Sequence, residues 1–230
     1  MPYSATRSDH PPDLELRPAA AERLHGRVSA AAERARRAGA PALAAVTVPI
    51  PAMVDLSAAV LKARHPDDRF SCLEQPERDG FVLAALGQAA SIEASGPGRF
   101  AEVAARAREL GRSALVDDPA EDPLSPPAAG PVFLGGFAFA HNGGASPEWA
   151  SLPPASLVLP ELALARQRGE ARMTLNAVVQ PDDDADAVVR RLLLRANELA
   201  PAAMPLVDPD PVERTRVASA APPSHYEQAV

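Results

Sequence analysis

The chain has 230 residues, a formal net charge of -7, and 47% hydrophobic, 23% charged and 4% aromatic residues. That is the composition of a soluble globular protein. No apolar run approaches the ~20 residues of a membrane span, no basic and apolar leader opens the chain, the lone Cys72 excludes an internal disulfide or a Cys-rich zinc site, and the acidic balance opposes binding to a nucleic-acid backbone.

Alanine accounts for 49 residues, so the core must draw its buried area mainly from Val, Leu, Ile and six Phe. The basic residues are 22 Arg and the single Lys62, which reads as a compositional bias of the source rather than an arginine-rich surface.

Residues 1–16 are polar and aperiodic and read as a loose end. A helix is predicted from Pro18, in its first turn, to a stop at Gly39, with Leu24, Val28 and several Ala on a shallow face. A strand follows over 43–50, with Val46, Val48 and Ile50 in alternation and Pro49 and Pro51 ending it. A short helix is expected near 56–64. Strands over 69–73 and 81–86, joined by the polar stretch 74–80, and a third over 89–94 form a predicted meander. Gly96-Pro97-Gly98 breaks the chain. Phe100, Val103, Ala107 and Leu110 then follow helical spacing until Gly111 closes the helix.

Residues 117–131 hold five prolines and four acids, a surface loop or linker. The stretch 132–140, VFLGGFAFA, is the most strand-like, apolar on both faces and expected to be buried on both. Gly135-Gly136 predicts a bulge or a close approach by another backbone. A short strand over 157–159 precedes a hairpin, 161–168 and 172–179, about Gly169. Asp182 or Asp183 caps a helix through Leu199, with Val188, Leu192 and Leu199 on one face. A Pro-rich link over 201–211 leads to Ser224 and Glu227, which fit a capping box. The chain ends about one turn later with no stop signal, so it reads as cut where a helix begins. There is no internal repeat.

Three segments carry a resemblance: LAAVTVPIPAMVDLSAAV (43–60), FSCLEQPERDGFVLAALGQAASIEASGPGRFAEVAARA (70–107), and GPVFLGGFAFA followed by WASLPPASLVLPELALARQRGEARMTLNAVV (130–179). In this order the chain resembles the N-terminal half of isochorismate synthases, within the chorismate-utilising enzymes that also include salicylate, anthranilate and aminodeoxychorismate synthases. The GGFAF strand before W-x-x-x-P-x-A-S-L-V-L-P is the most specific element, and the closing S-H-Y-E-Q-A-V resembles the entry to the chorismate-binding region. The resemblance covers about residues 20–230.

The resemblance implies an α+β fold, mainly antiparallel sheet with packed helices. It would be the incomplete N-terminal half of the anthranilate synthase component I-like two-sheet fold, with GGFAF as an interior strand. It divides the chain into a loose end (1–16), the N-terminal part of the fold (17–215) and a truncated start of the catalytic region (216–230). If the other half is missing, an apolar sheet edge should be exposed. The implied reaction adds water at C2 of chorismate while the C4 hydroxyl leaves, with Mg²⁺ on the carboxylate, a lysine as base and a glutamate as acid. Both proton transfers are needed because water is a poor nucleophile and hydroxide a poor leaving group. The family's lysine lies in a K-V-V-L-A-R-like strand after the helix that begins at Tyr226, and Lys62, in A-V-L-K-A-R-H, matches nothing catalytic. No catalytic, cofactor or metal residue is therefore assigned, and the chain is expected to be inactive alone. Chorismate is the implied substrate of the complete, cytoplasmic enzyme, with no nucleic-acid or membrane partner. The alternatives are a sibling chorismate enzyme or a non-catalytic binding module.

The remaining candidates read as structural. Asp182, Asp183, Asp184 and Asp186 read as a solvated first helical turn, not a metal site. Asp117, Asp118, Glu121 and Asp122 share a Pro-rich loop that is a poor Mg²⁺ cage. His141-Asn142-Gly143-Gly144 and Gly96-Pro97-Gly98 read as turns, since neither has the glycine spacing or lysine of a phosphate loop. Cys72 reads as a packed small hydrophobe, and Trp149 as an anchor for its loop. Ser151 and Ser156 lack a nucleophile elbow, and His10, His25, His65, His141 and His225 are scattered.

Overall fold

The computed structural model describes residues 14–117, 124–140, 143, 147–149 and 152–202. In chain order the elements are α1 (Pro18–Ala38), β1 (Ala42–Ile50), α2 (Leu56–Ala63), β2 (Phe70–Gln75), β3 (Phe81–Leu86), β4 (Ala90–Ala94), α3 (Arg99–Arg112), β5 (Leu134–Phe137), β6 (Ala155–Leu159), β7 (Leu162–Gln167), β8 (Glu170–Val179) and α4 (Ala185–Asn197). Of the predicted loose end over 1–16, residues 1–13 lie outside the described residues, as do the capping box and the region 216–230, while Leu14 is buried in the core with Leu16 packed against it.

Pro18 opens α1 where no intrahelical acceptor exists for a backbone N–H, and Gly39 ends it in the left-handed conformation at φ 63°. The face between them buries Ala20, Leu24, Val28, Ala31, Ala32 and Ala35, the three- and four-residue spacing of one helical stripe. With α2 and α4, α1 covers one side of a five-stranded antiparallel sheet in the order β1-β8-β7-β3-β2. The core there is Val46, Val82, Leu86, Leu162, Leu164, Met173 and Leu175 against Leu56, Val60, Val188 and Leu192.

β1 runs through Pro49 rather than stopping at it, with Pro49 opposite Arg172. β1 is an edge strand, and its outward N–H groups are already engaged. Ala45 donates to the Leu115 carbonyl at 3.0 Å and Thr47 to the Asp117 carboxylate at 2.8 Å. Pro49 is the next outward position, and it has no N–H to leave unpaired.

The predicted meander breaks at β4. Gly87, at φ 74°, turns the chain out of β3, and β4 joins a second antiparallel sheet in the order β4-β6-β5. β6 and β7 make the same passage in reverse through Pro160 and Glu161. The two strands stay paired across the corner, Leu86 opposite Leu162 and Ala90 opposite Leu159. The hairpin β7–β8 turns on Arg168 and Gly169, both at positive φ (52° and 76°), as a two-residue turn matching strand twist requires.

α3 packs on the smaller sheet through Val103 and Ala107. It passes through Gly111 and ends at Ser113, whose backbone N–H and hydroxyl both reach the Leu110 carbonyl. α4 is capped by Asp184, which accepts from the Asp186 N–H at 3.0 Å; Asp183 instead accepts from the Gln180 N–H. Among the described residues no helix is long and apolar enough to cross a membrane. The α+β fold with antiparallel sheets is as the sequence predicts.

Candidate functional site

GGFAF is shorter and more exposed than its composition predicts. Only 134–137 form a strand, at the edge of the smaller sheet rather than in its interior. Gly135 is required there by a close approach: a Cβ at this position would lie 1.8 Å from the Ser156 carbonyl oxygen of β6. At Gly136 a Cβ would meet nothing. The outer edge of β5 has no partner strand among the described residues. Phe137 is half-exposed and stacks on Phe100 of α3 at 4.6 Å between ring centroids, while Phe139 is fully exposed.

Two cavities flank this edge. One, of about 390 Å³, lies in the corner between the sheets, with Arg69, Ser71 and Ala85 on one wall and Gly135, Ser156 and Val158 on the other. The second, of about 560 Å³, is walled by Arg69, Phe137, Phe139, Trp149, Leu152 and Pro153. Trp149 is 60% exposed on that wall, so it does not bury itself as a loop anchor.

A buried cation holds the strand end that lines the second cavity. Arg99, the first residue of α3, is 4% exposed. Its guanidinium donates to the carbonyls of Ala138 at 2.8 Å, Phe139 at 3.2 Å and Gly96 at 3.2 Å. Its Nε is buried without a hydrogen-bond partner.

Asp68, which lines the corner cavity, belongs to a charged cluster. Arg195 of α4 donates to Asp68 at 2.5 Å and also to Glu198 and the Ala63 carbonyl, with His65 beside it. Burial works to raise the Asp68 carboxyl, but the His65 N–H and the Arg195 guanidinium outweigh it and hold the group below its ordinary value. Glu161 is pushed the other way. Its burial at the corner disfavours the charge more than Arg191, at 3.4 Å, and Arg195 restore it, and Asp68 adds repulsion.

Of the residues weighed from sequence, few meet. Asp184 caps α4, and Asp186 pairs with His25 at 2.9 Å. Asp117 accepts from Thr47 and pairs with Arg27. Asp118, Glu121, Asp122, His10, His141, His225 and Ser151 lie outside the described residues. Gly96 and Gly98 form a turn and helix entry. Ser156 lines both cavities. Cys72 is not packed: it is exposed on the edge strand β2, and partial burial of its sulfur, with Glu74 and Asp55 nearby, pushes the thiol up against a hydrogen bond from Ser57. Lys62 is exposed in the last turn of α2.

Among the described residues, no three His, Cys, Asp or Glu side chains come together as a metal site. The carboxylate that lines the corner cavity, Asp68, and the clustered Glu161 and Glu198 face arginines. That donor set does not fit Mg²⁺, which takes open oxygen ligands. Arg195 is the residue that sequence reasoning missed. It occupies the buried stripe of α4 with Val188, Val189, Leu192 and Ala196, and an arginine in an apolar stripe was the available signal.

The profile of the family described as chorismate binding enzyme matches residues 29–230. No curated protein matches the chain. Among solved structures, it is similar to MenF, the menaquinone-specific isochorismate synthase from Escherichia coli. The identity is 16% and the TM-score 0.43, over 77% of this chain and 35% of that one. This chain thus spans about a third of the length of that structure. With its profile covering most of the sequence, the chain belongs to the chorismate binding enzyme family.

Proposed function

We propose that this chain is the N-terminal scaffold of an isochorismate synthase, an isomerase that in complete form is cytoplasmic and Mg²⁺-dependent. Its product would serve menaquinone, siderophore or salicylate synthesis. The observation that carries the reading is the family match over 29–230. It is supported by the two most specific sequence elements, GGFAF and A-S-L-V-L-P, lying side by side as β5 and β6, with Gly136 opposite Ser156.

On this reading the scaffold shapes and dries the surroundings of a site whose proton-transfer groups lie outside the described residues. Its own carboxylates are tied to arginines, and its single lysine sits on an exposed helix end away from both cavities. Neither arrangement leaves a group poised to exchange a proton with substrate.

The test begins with the coding DNA beyond codon 230, looking for a lysine-bearing strand and later glutamates. The complete product is then assayed with chorismate and Mg²⁺, following isochorismate by chromatography, beside the 230-residue chain alone. Turnover by the long form only supports the proposal. Anthranilate, aminodeoxychorismate or salicylate as product would assign a sibling activity. A stop after codon 230 with no turnover would leave a non-catalytic binding module.

A further inference from the structure

We draw no further inference here: the strongest candidate, the corner cavity between the two sheets with Arg69 and Ser71 on one wall, is bounded on its other side by β5, whose outer edge has no partner strand among the described residues, and nothing in the structure shows what covers it.

Discussion

Arg195 on α4 lies 2.5 Å from Asp68 in the loop before β2, so one guanidinium ties the last described helix to the rim of the corner cavity. The same guanidinium meets Glu198 and the Ala63 carbonyl. Its side chain is 11% exposed and that of Asp68 20%. At this depth the pair is costly to break rather than rich in net stabilisation, because the survivor keeps its charge without a partner.

Arg195→Met is therefore expected to lower stability by about 2–4 kcal/mol, read by urea unfolding. Adding Asp68→Asn should recover part of the loss, since it removes the stranded carboxylate. A double variant that simply sums the two single losses would contradict the pairing.

The two perturbed carboxyls give stability a two-sided dependence on pH. Glu161 has a folded pKa above its ordinary 4.5, so the folded state binds its proton first. Stability should rise as pH falls from neutrality toward 4.5. Asp68 is held below its ordinary 3.8, so its contribution is present above that value and is lost as pH falls through the folded pKa. Glu161→Gln should flatten the upper limb and Asp68→Asn the lower one, measured as denaturation midpoints across pH 3–7.

Gly135→Ala places a methyl 1.8 Å from the Ser156 carbonyl, a contact neither backbone can relieve without parting β5 from β6. A loss of about 1–3 kcal/mol is expected, with faster amide exchange in β5 and β6. Gly136→Ala, where nothing lies within 4 Å, should change stability little. Equal effects of the two substitutions would contradict the close approach.

Arg99→Leu removes three donated hydrogen bonds to main-chain carbonyls. Hydrogen bonds from charged donors carry about 1.5–3 kcal/mol each before the relief of an uncompensated buried cation is counted. The informative measurement is local. Cleavage after Phe137 and Phe139 by limited chymotrypsin should accelerate, while the helix-covered sheet remains resistant. Uniform destabilisation without this local signature would argue against Arg99 as the holder of that strand end.

The parts legible in the sequence were those with local causes. Pro18 and Gly39 bracket α1, the Arg168-Gly169 turn joins β7 and β8, and Val46 and Val48 mark β1. The misread parts depended on neighbours distant in sequence. Pro49 looks like a terminator until β1 is known to be an edge strand facing Leu115 and Asp117. The third meander strand changes sheets because its partner is β6, which follows some sixty residues later. Cys72 is apolar in its local context, yet among the described residues β2 has no strand on its outer side. The charged cluster unites residues from α2's end, the β6–β7 corner and α4. Of the site's features, only the close approach at Gly135 was written locally, in the Gly135-Gly136 pair. Two adjacent glycines weaken a strand by giving up side-chain packing on both of its faces, and a neighbouring backbone can use the space they leave.

The pairing of β1 with β8, Ala42 opposite Val179, has a consequence for synthesis. The first strand leaves the ribosome long before its neighbour exists, and non-local pairing of this kind is slow to form. Until β8 emerges, α1 and β1 can associate with each other but cannot close the sheet. The nascent chain therefore carries an unshielded apolar strand throughout that interval. It should engage holdase chaperones while the strand waits and release them once β8 and α4 have cleared the exit tunnel. Ribosome profiling of chaperone-bound nascent chains would register this as a loss of occupancy downstream of the α4 codons.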